Sequence, residues 1–109
     1  MAQFDVHRNI GRQRETIPYV LIVQSSLFDG YRRRVVVPLV RRSALDGFAA
    51  LADLRMNPVF LVEGVDVVVH PREIVSVAIG QLGEKVASLA DQGDQIAAAL
   101  DELLTRSWA

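Results

Sequence analysis

The stretch NPVFLVEGVDVVVHP, residues 57–71, decides the fold class because it predicts a β-hairpin. Two runs rich in Val and other strand formers flank the pair Glu63-Gly64, which is suited to a tight hairpin turn. Pro58 and Pro71 bracket the unit, and proline is seldom found inside a paired strand. The hairpin therefore predicts antiparallel β-structure in the middle of the chain.

The segments around this hairpin predict further strands. Alternating or β-branched runs indicate four of them, over residues 3–7, 17–24, 33–40 and 72–80. Pro38 favours an edge or a bulge for its strand. The first three strands of the chain cannot be parallel, because no helical crossovers separate them. The prediction is five or six antiparallel strands, with a short irregular helix over residues 41–54.

A helix is predicted at the C-terminal end, where the hydrophobic period changes from two to about 3.6. The change begins at Gly83, and the apolar stripe consists of Val86, Leu89, Ile96, Leu100, Leu103 and Leu104. Gly93 is expected to divide the segment into a first turn or two and a main helix, with Asp94 as the N-cap. Residues 1–109 are thus predicted to form a single domain, mainly β with a C-terminal α-helix.

Composition narrows the class of protein. Half of the 109 residues are hydrophobic, so a real core is possible, and a chain of this size leaves enough surface uncovered for dimerisation. The formal net charge of −1 does not favour general binding to nucleic acid. Cys is absent, which excludes disulfides and thiolate chemistry. The N-terminal residues do not resemble a signal peptide and no window is apolar enough for a membrane span, so we expect a soluble cytoplasmic protein.

The sequence carries no pattern typical of catalysis. His7 and His70 lack ligand spacing to any partner, and there is neither a Gly-rich phosphate loop nor a nucleophile elbow. The paired carboxylates Asp101 and Glu102 are typical of a solvated helix surface. We therefore predict no catalytic residues, no metal and no cofactor.

Two surface features have more than one interpretation. The arginines at residues 32–34, with Arg41 and Arg42, could bind an acidic peptide or phosphate, or they could be strand-end charges that protect an exposed sheet edge. Leu27 and Phe28 are adjacent apolar residues in a predicted turn. Either at least one of them faces solvent as a contact for a protein partner, or both fold back onto the core.

Four stretches, in order, resemble the CcdB family of toxins from bacterial toxin–antitoxin modules. They are QFDVHRN, VQSSLFDGYRRRVVVPL, NPVFLVEG and LGEKVASLADQGDQIAAALDELL, and they cover nearly the whole chain. The resemblance implies a small antiparallel β-barrel-like domain, of the SH3-like CcdB/Kid type, with a C-terminal helix and working as a homodimer. It also implies a toxin that binds the DNA gyrase A subunit and traps the cleaved-DNA complex without chemistry of its own.

The resemblance further implies a partner and a set of contact residues. A CcdA-like antitoxin would neutralise the toxin with a disordered tail, and the pair would repress its own operon, so that this chain would meet DNA only through the antitoxin. The antitoxin would contact the loop RNIGRQRE, residues 8–15, where three arginines either pair with its acidic tail or are solvated. These arginines are Arg8, Arg12 and Arg14.

The gyrase contact is implied at the end of the helix and in the tail. The typical family ending is an aromatic or Thr, then Gly, then a large apolar residue, and it aligns with Thr105, Arg106 and Ser107. The last two depart from that pattern, and the chain continues to Trp108 and Ala109. Four more contacts are implied on this surface, at Leu27, Phe28, Asp101 and Leu104. Trp108 has three interpretations: a partner contact, packing on its own helix stripe or at a dimer interface, or part of a disordered tail.

Two other functions stay open from the sequence. A non-toxic relic would dimerise and bind the antitoxin only, which the altered tail allows. An endoribonuclease toxin of the same fold would need a general acid/base pair beside a cation. His7 or Glu73, with one of the arginines at residues 32–34, could be imagined in that role.

Overall fold

Seven strands form one antiparallel sheet in the part of the chain that the structure describes. The computed structural model describes residues 1–45 and 56–106, with side chains as far as Leu104 at the C-terminal end. The strands are β1 Asp5–Asn9, β2 Tyr19–Ile22, β3 Arg33–Arg41, β4 Val59–Val62, β5 Val65–Val69, β6 Val75–Ala78 and β7 Leu82–Ser88. A helix, α1, follows over Gly93–Asp101 and continues into a π-helical turn over Glu102–Arg106.

The sheet branches at its longest strand, β3. The strand order is β4-β5-β3-β2-β1-β7, and β6 also pairs with β3. β2 lies on one side of β3, whereas β6 and β5 share the other side, with β6 pairing Arg33 to Val36 and β5 pairing Leu39 to Arg41. The result is a half-barrel with a C-terminal helix, which confirms the predicted fold class.

Pro38 lies in this central strand, so the prediction of an edge or bulge is wrong. Its carbonyl accepts a hydrogen bond from the His70 backbone N–H at 3.1 Å, on the side that β5 and β6 share. The N–H and C=O of one strand residue point to the same side, so the missing N–H of Pro38 would face the gap between these two partner strands. The proline therefore interrupts no ladder.

The hairpin prediction is confirmed. β4 and β5 pair antiparallel with Val62 opposite Val65, and the two residues between them form the turn. Glu63 has φ 50° and Gly64 has φ 78°. Positive φ at both positions is what the tight hairpin turn of type I′ requires, and it matches the right-handed twist of the strands.

The helix begins later than predicted, because Leu82–Ser88 is the strand β7 and not a helical turn. β7 pairs antiparallel with β1, with Ala87 opposite Val6. Short apolar spacings do not separate strand from helix, and a partner far away in sequence decided this segment. Asp94 is not the N-cap; Gln92 occupies that position without a side-chain cap, and Asp94 lies in the first turn, where the helix dipole favours a carboxylate.

The core lies between one face of the sheet and α1. Ile96 and Ala99 of the helix are fully buried. Gly93 allows the helix start to approach Phe4, since a Cβ at residue 93 would lie 2.8 Å from the aromatic ring. Phe4 itself has φ 69°, an unusual value for a bulky residue, and hydrogen bonds to Ile22 and Leu89 hold its backbone there.

The opposite face of the sheet carries a smaller apolar cluster of Val20, Ile22 and Val36. The predicted helix over residues 41–54 falls largely outside the described residues. Only its start is described, where Arg42–Ala44 forms a 3-10 turn. Among the described residues, no helix is long and apolar enough to cross a membrane.

Candidate functional site

The loop between β2 and β3 presents an apolar pair to solvent. Ser25 caps a 3-10 turn over Ser26–Phe28 by accepting a hydrogen bond from the Leu27 backbone N–H at 3.3 Å. The turn leaves Leu27 87% exposed and Phe28 40% exposed. Leu27 therefore faces solvent and the pair does not fold back onto the core, whereas its contact with a protein partner stays a prediction.

A buried arginine holds the β2–β3 loop in place through hydrogen bonds. Arg34 is 1% exposed, and its guanidinium donates to the Asp29 carboxylate and to the carbonyls of Gln24 and Ser25, at 3.2 and 3.3 Å. Burial raises the pKa of Asp29, but hydrogen bonds from Arg34 and the terminal amine outweigh it and hold that pKa below its ordinary value. Sequence reasoning missed this role, although alternation along β3 was a signal that one arginine points inward.

The other two arginines of the run lie at the surface. Arg33 donates from Nε to the Ser76 hydroxyl at 3.0 Å and from a terminal nitrogen to the Ser76 carbonyl at 2.6 Å. Arg32 is exposed and has no side-chain hydrogen bond or ion pair within the described residues. Because β6 covers this part of β3, the interpretation of the run as charges protecting a free edge is wrong.

The second part of the predicted gyrase contact lies at the end of α1. Asp101 is the last α-helical residue and is exposed, and Leu104 in the following turn is 67% exposed. The backbone of Thr105 and Arg106 continues that turn. Residues 107–109, which include Trp108, lie outside the described part, so the three interpretations of Trp108 stay open.

One core cluster supports both parts of this predicted contact. Val23, which precedes the β2–β3 loop, packs against the same cluster as Leu100, which precedes the end of α1. The exposed apolar loop and the exposed helix end are therefore both anchored to the same close-packed core.

The basic loop after β1 is shorter than predicted. Arg8 lies within β1, where it pairs with Glu63 at 3.2 Å and with Glu84 at 3.3 Å. Its guanidinium also lies 6.0 Å from the centre of the Tyr19 ring. A partner carboxylate at Arg8 would therefore compete with Glu63 and Glu84 of the chain itself.

Arg8, Tyr19 and Glu63 shift one another's pKa. The Tyr19 hydroxyl donates to the Glu63 carboxylate at 2.7 Å. This hydrogen bond, followed by the one from Arg8, lowers the pKa of Glu63 against the opposing effect of burial. Burial and the Glu63 carboxylate raise the pKa of Tyr19, and the hydrogen bond to Glu63 raises that of Arg8.

Arg12 and Arg14 remain in the loop and are exposed. Arg14 donates to the Gly11 carbonyl at 3.2 Å, whereas the Arg12 side chain has no hydrogen bond or ion pair among the described residues. A cavity of about 390 Å³ opens beside the start of this loop, with Ile10, Val20, Val77 and Leu82 among its lining residues. The loop thus combines exposed cations with an adjacent apolar recess.

Two of the residues considered for ribonuclease chemistry, His7 and Arg34, are buried, whereas Glu73 and Arg32 are exposed. His7 is only 7% exposed; its Nδ1 lies 3.0 Å from the Gly83 carbonyl, and its Nε2 is buried without a partner. Arg34 is bound to Asp29 and loop carbonyls. In residues 1–45 and 56–106, no group of three or more His, Cys, Asp or Glu could hold a metal ion.

Comparison with solved structures defines the class of fold. The structure of Mycobacterium tuberculosis toxin MazF-mt6 is similar over 90% of this chain and 93% of that chain, with a TM-score of 0.67 and 16% sequence identity. At this identity the likeness shows the fold alone, which this chain shares with that protein. No curated protein matches the chain.

The family is shown by the sequence itself. The family model of the CcdB protein matches residues 3–105, which is nearly the whole chain. The chain therefore belongs to the CcdB family, whose members are toxins of toxin–antitoxin systems.

Proposed function

We propose that this protein binds the DNA gyrase A subunit and traps the cleaved-DNA complex, as a toxin that performs no chemistry of its own. The observation that carries the proposal is the family match over residues 3–105. It acts in the cytoplasm, where gyrase acts on DNA.

The exposed surfaces of the chain support a protein partner. Leu27 and Leu104 are largely solvent-exposed at the two places where the family resemblance puts the gyrase contact. Large apolar side chains in exposed clusters are typical of interaction sites. Trp108 extends the contact as an interfacial hot spot, because buried Trp residues often dominate binding free energy.

A non-catalytic mode of action fits the places of the titratable groups. His7 is shielded from solvent within the sheet, and Arg34 is occupied by its own loop. A ribonuclease would need an acid or base that can reach a substrate hydroxyl. These two side chains do not offer that access.

The toxin acts within a larger assembly in this proposal. It forms a homodimer, and a CcdA-like antitoxin neutralises it with an acidic disordered tail. The tail pairs with Arg12 and Arg14 and places an apolar side chain in the neighbouring recess at Ile10. Repression of the operon and contact with DNA come through the antitoxin.

The first test is growth arrest after induced expression, with Leu27→Glu as the disabling variant. Leu61→Glu is the matched control, because Leu61 is a similarly exposed leucine on strand β4. Arrest by the wild type and by Leu61→Glu, but not by Leu27→Glu, supports the proposal. Arrest that is unchanged in Leu27→Glu removes this loop from the toxic surface.

The tail is tested in the same assay with Trp108→Ala and with a deletion after Leu104, in normal cells and in cells with a toxin-resistant gyrase A subunit. Loss of arrest with the tail changes and in the resistant cells supports a gyrase contact that includes Trp108. Folded wild type that never arrests growth identifies a relic. Arrest that survives in resistant cells rejects gyrase, and cleavage of bulk RNA by the purified protein would identify the enzymatic alternative.

A further inference from the structure

We propose that a pocket between the β2–β3 loop and β6 docks an acidic peptide segment that carries one aromatic or large aliphatic side chain. The pocket has a volume of about 470 Å³ and is lined by Phe28, Tyr31, Arg32, Arg33, Val35 and Ser76, with Gln24 beside them. We call it the aromatic–arginine pocket. The inference goes beyond the proposed function and requires no gyrase.

Two aromatic rings form the apolar side of the aromatic–arginine pocket. The ring centres of Phe28 and Tyr31 lie 5.9 Å apart at a tilt of 39°, which is favourable aromatic geometry. Tyr31 is nevertheless 64% exposed, so most of its surface has no partner within the described structure. Rings that are ordered by each other and still exposed are suited to receive an apolar side chain, and aromatic residues are enriched at interfaces.

Two guanidinium groups supply the charge. Arg33 is held by two hydrogen bonds to Ser76, so it loses little conformational freedom when it binds a carboxylate. Arg32 is exposed, with no side-chain hydrogen bond or ion pair among the described residues. No carboxylate is found among the described residues that line the pocket, and Asp29 of the same loop is bound by Arg34. The unpaired charge at the pocket is therefore positive, which selects an acidic partner.

The support beneath the pocket is rigid. Gln24 accepts hydrogen bonds through Oε1 from the Val35 backbone at 3.0 Å and from Arg34 Nε at 3.4 Å. Arg34 in turn holds the loop that carries Phe28. A surface that is already ordered binds with a smaller entropic cost than one that must order on binding.

A peptide fits this chemistry better than a nucleic acid does. Binding to a nucleic acid rests mainly on neutralising many phosphates, whereas the pocket offers two cations. The formal charge of −1 on the chain adds no general attraction for a polyanion. A short peptide needs only one or two carboxylates beside an apolar anchor, which matches two arginines beside two rings.

The probe is a fluorescein-labelled synthetic peptide with Glu and Asp residues around one Phe and one Leu, titrated with the full-length chain while anisotropy is recorded. We expect saturable binding that weakens with added salt, because exposed charge pairs are screened. A second peptide has Ser in place of Phe and Leu, and a third has Lys in place of each acidic residue. Both are expected to bind at least about tenfold more weakly.

Variants locate the binding to the pocket. Tyr31→Ser and Arg32→Glu are each expected to weaken binding of the acidic peptide by about tenfold, through loss of the aromatic anchor and reversal of the charge. Arg72→Glu is the matched control, since Arg72 is also exposed and makes no side-chain hydrogen bond or ion pair among the described residues, but lies in the 3-10 turn before β6, outside the pocket and the loop after β1. It should bind like the wild type, within about twofold. Circular dichroism and urea unfolding establish that each variant is folded.

Several results would overturn the proposal. These are no binding of the acidic peptide, equal binding of the peptide without Phe and Leu, or equal weakening by Arg72→Glu and Arg32→Glu. Weakening by Arg12→Glu without weakening by Arg32→Glu would also overturn it, because the peptide would then bind at the loop after β1. A single-stranded RNA of matched charge that binds more tightly, and loses binding in Tyr31→Ser, would identify a nucleic-acid surface instead. Because the titration contains no gyrase, a failed growth-arrest test with intact peptide binding rejects only the proposed function.

Discussion

At the scale of single residues, the exposed loop after β2 depends on Arg34. Its guanidinium joins Asp29 to the carbonyls of Gln24 and Ser25 while its own surface is almost fully buried. Arg34→Ala would remove these bonds and leave two carbonyls without their donor. We expect a loss of about 3 kcal/mol in the free energy of unfolding, measured by urea denaturation.

The control for this prediction is Arg33→Ala. Arg33 also makes two hydrogen bonds, but it does so at the surface with Ser76. Exposed substitutions usually change stability by about 0.5 kcal/mol or less, and these bonds can be replaced by water. Equal losses from the two variants would contradict the role of Arg34 as the buried support of the loop.

Glu63 gives a second prediction at this scale, through the pH dependence of stability. Its pKa in the folded protein lies below the ordinary value of 4.5, first because Tyr19 donates a hydrogen bond and then because Arg8 does. A lowered pKa stabilises the fold above the unfolded-state value, and that contribution is lost as pH falls through the folded-state pKa. We therefore expect Glu63→Gln to be less stable than wild type at pH 7, with the gap closing below pH 4.5.

Urea unfolding of the wild type and of Glu63→Gln from pH 7 to below pH 4.5 measures the difference in their free energies of unfolding. Tyr19→Phe is the matched variant, because it removes the hydrogen bond that lowers the pKa of Glu63 most. When Glu63→Gln is added to Tyr19→Phe, the pH-dependent part of its effect on the free energy of unfolding should be smaller than in the wild type. A gap of constant size from pH 7 to acid would show that the carboxylate contributes no proton-linked stability.

At the scale of elements, the pairing of β1 with β7 joins distant parts of the chain and leaves little space between them. A Cβ on Gly83 would lie 2.7 Å from the Arg8 carbonyl oxygen, and that oxygen belongs to the backbone of β1. Gly83→Ala should therefore lower the free energy of unfolding by about 1–3 kcal/mol, the usual cost of overpacking.

Gly80→Ala provides the control, because a Cβ at residue 80 meets nothing within 4 Å. Its effect on the urea midpoint should be small. If Gly83→Ala were as stable as Gly80→Ala, the close approach of β7 to β1 would not exist in solution.

The elements also show what a sequence can predict here. The hairpin of β4 and β5 was predictable because the turn at Glu63-Gly64 and the strands around it are adjacent in the chain. β7 was not, because its partner β1 lies more than seventy residues away and its apolar spacing fits a helix as well. The sequence left open whether Leu27 faces solvent or folds back onto the core, because a turn allows both. The buried role of Arg34, and the pocket that Tyr31 completes, required knowledge of how β3 packs against β6.

At the scale of the whole molecule, apolar residues occupy the sheet face that α1 does not cover. Strand alternation places Val20, Ile22 and Val36 on that face, and Val75 on β6 is 47% exposed beside Val77, which packs against them. Val20, Ile22 and Val36 are already buried beneath Met1, Val77 and Leu82, so the apolar surface left here for a second copy of the chain is the exposed Val75. The proposed homodimer leads to a prediction that depends on protein concentration.

For a folded dimer that dissociates on unfolding, mass action makes stability rise with protein concentration. Each tenfold increase should add about 1.4 kcal/mol to the apparent stability of the dimer relative to unfolded chains. Urea unfolding at three protein concentrations, with the mass in solution measured by sedimentation equilibrium, tests this. A midpoint that does not move, together with the mass of one chain, would show that the toxin works as a monomer. A urea midpoint that rises with protein concentration, together with the mass of two chains, would establish the homodimer. Each toxin dimer would then offer two β2–β3 loops and two helix ends to a gyrase complex.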